Sequence, residues 1–410
     1  MSLGPPRAVV YPPARSKTGR AMHTHEEIEL SVVMPCLNEA DTLESCITKA
    51  RGALDAAGIA GEIVVADNGS GDGSVEIAER LSARVVHVKE RGYGSALLGG
   101  IDAARGRFVL MGDADDSYDF RELPRFVAKL REGADLVQGC RLPRGGGEIR
   151  PGAMPRLHRF LGNPLLTTMA RTMFRTPIHD AYCGMRAFSK RFYESLSLRC
   201  TGMEFAIEML VKASLHGGRI AEVPITLHPD GRRSHGPHLR TLRDGWRTVR
   251  FFFMYSPRWM FLIPGFALVV LGLLGYAVAL PGLRILGVSF DAHSLLVSSL
   301  AVLLGYQALL FAVLAKVFGV TEGLLPEDPR IRRFFEVARL ERGLLLGAGA
   351  FLAGGVLLWN AFAQWRAAGF GDLDYARTMR WVVPGVTLAA LGFQTVLASF
   401  LVSLLGMARR

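Results

Sequence analysis

The sequence predicts an α/β domain with a mostly parallel sheet, followed by an all-α transmembrane domain of four helices. Two observations predict it. Between Leu30 and about Gly139, short apolar runs near 30–35, 63–66, 84–88, 108–111 and 135–139 alternate with helical stretches. That is the pattern of strands joined by crossover helices. In the last 150 residues, four apolar runs near 261–280, 294–320, 343–363 and 382–407 each reach about 20 residues or more. Each is long enough to cross a hydrocarbon core.

The 410 residues leave room for two or three domains, and the apolar runs account for a mean hydropathy of +0.25. Net charge is +11, and only seven of the 48 basic residues are Lys. Arginine grips phosphate through a planar, bidentate fork, so phosphorylated partners or an anionic membrane face fit, although genome composition also produces arginine excess. No nucleic-acid partner is expected. Five scattered cysteines without a CxxC pair argue against a disulfide framework or zinc site and suit a reducing compartment. Residues 1–29 are polar and Pro-rich, without the apolar stretch of a signal peptide. They are expected to be a poorly ordered extension on a domain that stays in the cytosol.

The first strand ends near Pro35, and Asn38 and Glu39 stand where they can cap the next helix. The second ends at Asp67, also readable as a turn aspartate. Lys89 closes the third. Gly92-Tyr93-Gly94 is not a dinucleotide fingerprint, because it follows the third strand and lacks a third glycine at the right spacing. Phe108–Met111, bounded by Gly106 and Gly112, reads as a buried strand running straight into Asp113-Ala114-Asp115. Residues i and i+2 of an extended chain point the same way, so both carboxylates face one side. Two such charges are costly unless a cation sits between them. Hard oxygen donors suit Mg2+ or Mn2+, which usually share their coordination with phosphates. The alternative is an acidic turn that caps a helix. Pro35, Asp67, Lys89 and Asp113 all fall at the carboxyl ends of strands, where such sheets bind ligands.

Further on, Arg156 and Arg159 share a helical face, as a lipid-phosphate site or as a solvated basic surface. Over 239–259, Arg240, Arg243, Arg247 and Arg250 interleave with Leu242, Trp246, Val249 and Phe253. That is a basic amphipathic helix suited to a membrane interface. Residues 321–342 carry five arginines, against one in 281–293 and three in 364–381. The positive-inside rule then places 321–342, the first domain and both termini in the cytosol. Gly347, Gly354 and Gly355 would let spans pack against each other or against a second subunit.

Asp113-Ala114-Asp115 resembles the DxD motif of GT-A glycosyltransferases. Ser31–Glu39 and Ile63–Asp72 are similar to the opening strands and turns of glycosyltransferase family 2, and Arg91–Ala96 to its Gly-rich turn. The resemblance covers about residues 30–260, and within the family it is nearest to polyprenyl-phosphate glycosyltransferases. It implies a GT-A catalytic domain over 30–238, the interfacial helix and membrane domain following. It implies a nucleotide-sugar site of Pro35, Leu37, Glu39, Asp67, Asn68, Lys89, Gly92, Asp113 and Ala114. Asp113 and Asp115 would hold the metal. The segment Val223–Ser234 resembles the last strand and the loop over the diphosphate, with Arg232 and Arg233 as its basic residues. Arg141, Arg156, Arg159 and Arg186 would meet a polyprenyl phosphate, and Asp180 would join Arg141 in the reaction.

In many family members Glu204 would be followed by aspartate, as part of a catalytic pair; here Phe205 follows. A phosphate monoester has a second pKa of about 6 and is already ionised at neutral pH, so it needs no general base, whereas a sugar hydroxyl does. The implied reaction is inverting transfer of a hexose from a nucleotide sugar, UDP-glucose before GDP-mannose, to polyprenyl phosphate. Two alternatives remain open. A processive polysaccharide synthase would carry Gln-x-x-Arg-Trp where this chain has Tyr255-Ser-Pro-Arg-Trp259, and a non-enzymatic membrane protein would retain the domain as a relic.

Overall fold

The structure is a computed structural model that describes residues 28–234, 241–285, 287–326 and 340–406. The extension up to residue 27, Arg240, Arg330, Arg332, Arg333, Arg339 and the Ala-Arg-Arg tail lie outside them.

Five parallel-type strands form as expected: β1 Leu30–Cys36, β2 Gly61–Asp67, β3 Arg84–His87, β4 Phe108–Met111 and β5 Leu136–Cys140. β1 pairs in parallel with both β2 and β4, and β2 with β3. All four residues of β4 are buried, because helices cover both faces of the sheet. The alternation along β1 sorts the core. Val32 and Met34 pack with Leu43, Ile47 and Leu54 of α1 (Leu43–Ala56), Ala78 of α2 (Ser74–Arg80) and hydrophobics that follow β4. Val33 faces the other way, onto Leu97 and Ile101 of α3 (Tyr93–Ala103). Helix α4 (Leu123–Arg131) adds Phe126, Val127 and Leu130 to the first layer.

The sheet departs from a uniform parallel reading at one place. After β5 and the two-residue β6 (Glu148–Ile149), the chain builds α5 (Asn163–Phe174), preceded by a π-helical turn His158–Gly162. It then returns as β7 (Arg186–Ser189), antiparallel to both β4 and β5 and lying between them. The reason is topological: the chain stays on the carboxyl edge of the sheet throughout 141–185, so it can re-enter only in the opposite direction. Helices α6 (Lys190–Leu196) and α7 (Phe205–Leu215) follow, and β8 (Ile220–Pro224) resumes the parallel sense beside β5. The short β9 (Thr226–Leu227) pairs with β6.

Helix α8 (Thr241–Met254) packs on α5, with Phe174 and Phe252 ring centroids 5.5 Å apart. It leads into four helices long and apolar enough to cross a membrane: α9 (Ile263–Ala279) extended back to Arg258, α10 (Ala292–Thr321), α11 (Leu340–Ala367) and α12 (Tyr375–Gly406). Their bounds agree with the four apolar runs. Small residues and hydroxyls hold them together. Thr387 of α12 shares hydrogen bonds with Tyr276 of α9 and Ser299 of α10, and Gly347 and Gly354 of α11 lie against Gly392 and Gly385 of α12. A Cβ added at Gly355 would meet no other part of the protein within 4 Å.

A side chain at Gly392 would begin 2.4 Å from the Phe351 amide nitrogen and 2.5 Å from the Gly347 carbonyl. Gly392→Leu should therefore force α11 and α12 apart, at a cost of about 1–3 kcal/mol, and lower the melting temperature in detergent. Gly355→Ala should leave it unchanged.

Candidate active site

The carboxyl ends of β1, β2 and β4 open into a cavity of about 1120 Å³. Pro35, Leu37, Glu39, Asn68 and Gly92, from the end of β1 and the turns after β1, β2 and β3, line it with Asp113, Ala114 and Asp115. Arg141, His158, Tyr182 and Met203 line it too, together with Arg243, Asp244, Arg247 and Thr248 of α8.

The two aspartates are held differently. Asp113 receives a 2.9 Å hydrogen bond from the Tyr93 hydroxyl. Burial, then the charge of Asp115, pushes its pKa up to about 7. Asp115 Oδ1 accepts from the Ser117 amide and hydroxyl at 3.0 and 2.6 Å, which leaves Oδ2 turned to the cavity, 3.4 Å from Arg232 Nη1. The loop is pinned from behind. Thr42 donates to the Ala114 carbonyl at 2.6 Å, and Asp116, in the left-handed region at φ 60°, takes Lys49 at 2.6 Å and Ser45 at 3.0 Å. Among the described residues no three metal-ligating side chains gather, so a divalent cation here would complete its shell from water or phosphate, the habit of Mg2+. Two carboxylates with crowded negative charge fit such an ion.

Arg232 is the positive centre of the cavity. Its guanidinium meets Glu39 through Nη2 at 2.6 Å and Nε at 2.7 Å, and Asp230 through Nη1 at 2.8 Å. Burial works against its charge, but Glu39 and the neighbouring aspartates outweigh it and raise its pKa further.

Of the residues singled out from the sequence, Pro35, Leu37, Glu39, Asn68, Gly92, Asp113, Ala114, Asp115, Arg141 and Arg232 share this cavity. The others lie elsewhere, each for a visible reason. Asp67 folds its carboxylate onto its own turn, accepting from the Gly69 and Ser70 amides at 3.2 and 3.0 Å and meeting His87 Nδ1. Burial opposes its charge, but Ser70, His87 and Gly69 hold its pKa below the usual carboxylate range. Asn68, next in sequence, is the residue that faces the cavity, its side chain tying Val88, Glu90 and Gly92 together. Lys89 is exposed outside the wall. Arg233 is exposed too, with its amide donating to Asp41 at 2.9 Å.

Asp180 is fully buried and clasps Arg141 through Nε at 2.7 Å and Nη2 at 3.0 Å. Arg186 corrects the lipid-phosphate expectation. It is wholly buried beneath the floor and donates to the Ala206 and Cys183 carbonyls. Arg156 and Arg159 form no part of the wall either, and Arg159 lies 5.4 Å over the Phe160 ring. Glu204 occupies the N-cap position of α7 without a side-chain capping bond and does not line the cavity, and Phe205 is core.

One network gave little sequence signal, since apart from the i,i+4 pair Glu208–Lys212 its partners come from separate elements. Glu208 of α7 accepts from the Arg199 and Cys200 amides at 2.9 and 2.7 Å, from Lys212 at 2.9 Å and from the Tyr255 hydroxyl at 3.3 Å. It thereby fixes the segment that passes over α3, where Ser95 donates to the Thr201 carbonyl. A Cβ on Gly94 would sit 2.5 Å from the Cys200 carbonyl, so glycine is required at this crossing. Tyr93, the donor to Asp113, opens that same helix.

The model of glycosyl transferase family 2 matches residues 31–197, and that of the family 2 C-terminal transmembrane region matches 313–406. The hexosyltransferase Agl6 of low-salt glycan biosynthesis in Haloferax volcanii is 40% identical over 382 residues, 92% of this chain and 89% of the relative. The chain belongs to glycosyltransferase family 2. A dolichyl-phosphate hexose transferase of the same organism is 32% identical over 198 residues, covering 48% of this chain and 82% of that one. A crystal structure of glucosyl-3-phosphoglycerate synthase from Mycobacterium tuberculosis with Mn2+ and UDP aligns at 26% identity with a TM-score of 0.42, over 55% of this chain and 77% of that one. The protein is a membrane glycosyltransferase, with a GT-A-like sheet and an apolar four-helix region.

Glu208 carries the pH prediction. Burial opposes its charge, but the Cys200 amide, Lys212 and the Arg199 amide hold its pKa below the ordinary 4.5. A depressed carboxylate contributes stability that is present above the unfolded value and lost as pH falls through the folded one. Glu208→Gln should cost roughly 3–5 kcal/mol near neutrality, because it strands the buried Lys212. It should also flatten the loss of melting temperature below pH 4.5.

Proposed function

We propose that this family 2 enzyme moves a hexose from a nucleotide-diphosphate sugar, UDP-glucose by preference, onto a polyprenyl phosphate with inversion. The observation that carries this reading is the double lining of one cavity. Asp113 and Asp115 line it, and so do Arg243, Asp244, Arg247 and Thr248 of α8, the helix that leads into the first apolar span. A water-soluble donor and a membrane-held acceptor can meet only in such a place.

Asp113 and Asp115 would hold Mg2+ or Mn2+, which when bound supplies positive charge for the departing diphosphate. Pro35, Leu37, Asn68 and Gly92 shape the nucleotide end, and Arg232 adds a cation beside the same diphosphate. An acceptor phosphate oxygen bonds to the anomeric carbon as the bond from that carbon to the nucleoside diphosphate breaks. No proton has to be removed, since the monoester is already ionised. Phe205, buried where relatives place a carboxylate, agrees with that chemistry. Tyr255 also speaks against a processive synthase, for its hydroxyl is engaged by Glu208 rather than turned to the cavity. The arginine-rich segment 321–342 supports a catalytic domain and both termini on the cytosolic face.

The test is nucleoside diphosphate release by detergent-purified protein given polyprenyl phosphate, Mg2+ and a panel of UDP- and GDP-sugars. Release should require the lipid, stop on chelation, and fall by at least about 10²-fold in Asp115→Asn with an unchanged melting temperature. Release that needs only the sugar nucleotide and yields polymer would replace this reading with the processive synthase.

A further inference from the structure

We infer that Arg243 and Arg247 of α8 form the receiving site for the acceptor's phosphate, where the cavity opens between α5 and α8. The inference rests on the lipid-phosphate reading of the acceptor and gives that substrate a place different from the one its sequence motifs suggest.

The first argument is which cations remain for the acceptor's phosphate, once Arg91, next to Gly92 at the nucleotide site, and Arg232, already paired with Glu39 and Asp230, are assigned to the donor. Arg141 is clasped by Asp180 through two nitrogens, and Arg186 is sealed under the floor. Arg156 and Arg159 stand outside the wall. Arg243 lines the cavity, is exposed, and makes no ion pair among the described residues. Arg247, one turn further on, has only a 3.9 Å approach to Asp244. Two guanidiniums at i and i+4 lie on one face, and each presents a planar fork to phosphate oxygens.

The second argument is where the chain of such a ligand would go. Outside the arginines, α8 exposes Trp246 and Met254, at 67% and 65%. Across the opening, the stretch before and into α5 exposes Leu157, Phe160, Leu161 and Leu165, each by more than half. Helix α8 leads on to Arg258–Ala279, a helix long and apolar enough to cross a membrane. A phosphate monoester on a long apolar chain matches this order of groups: charge at the rim, hydrocarbon outward. The arginines stay protonated throughout, and the bond made and the bond broken are those given above.

The experiment compares Arg243→Gln/Arg247→Gln with wild type for both substrates, using full-length protein in detergent, a polyprenyl phosphate and a short, water-soluble isoprenyl phosphate. The double variant should raise KM for both acceptors by about tenfold or more, while kcat and donor KM stay within about twofold. It should also weaken competition by inorganic phosphate. Arg243→Lys/Arg247→Lys, which keeps the charge, should recover part of the loss, and equal melting temperatures exclude misfolding. Arg250→Gln, exposed on the same helix outside the cavity, should match wild type.

An unchanged acceptor KM in the double variant would overturn the inference. So would a loss confined to the long lipid and shared by Arg250→Gln, which would mark the arginines as membrane anchors only. If wild type itself shows no lipid-phosphate-dependent release, the acceptor reading fails, and the inference with it.

Discussion

The site depends on one electrostatic constraint, the gathering of Glu39, Asp113, Asp115 and Asp230 around a single space. Left alone, these carboxylates would repel one another and draw up protons; at Asp113 burial, and then the charge of Asp115, raise the pKa. Arg232 relieves that repulsion from a position 193 residues away from Glu39 in the chain. The contact joins the end of β1 to the segment after β9, so the first and last parts of the catalytic domain are closed over the cavity by one guanidinium. The Gly231 amide adds to the closure by donating to the Asp115 carbonyl at 2.9 Å.

The sheet was legible where local pattern carries the information. Short apolar runs gave β1 to β5 close to their observed limits, because a strand buried on both faces, as β4 is, must be apolar at nearly every position. The four spans were legible for a similar reason: length and apolarity alone decide them. The direction of β7 was not. Its four residues look like any short strand, and its sense is set by where the preceding chain has been left.

Side-chain roles divided along the same line. Asp113 and Asp115 follow from adjacency to a strand end, so sequence reasoning finds them. Arg141 with Asp180, and Glu208 with the Arg199 and Cys200 amides and Tyr255, are settled by pairing between elements that no periodicity announces, although Glu208 and Lys212 stand at i and i+4 of one helix. Asp67 and Asn68 show how fine the distinction is. The two are neighbours in one turn, yet the first closes the turn and the second faces the cavity. Arginine was the least legible residue. The same guanidinium serves as buried strut in Arg186, as clasped partner in Arg141 and as cavity wall in Arg243.

The return of the chain through β7 has a consequence for how such enzymes diversify. The excursion between β5 and β7 leaves the sheet from one strand and comes back into the adjacent one, with Gln138 and Arg186 paired in register. Both ends are thus anchored side by side, and the entropy of closing a loop between fixed ends grows only slowly with its length. Away from Arg141, Asp180 and Gly184, whose amide donates to the Tyr118 hydroxyl beside Asp113, residues can be gained, lost or exchanged in that segment without disturbing β1 or β2. It behaves as a replaceable cassette, on which new acceptor preferences can be tried while the donor half of the cavity is inherited intact.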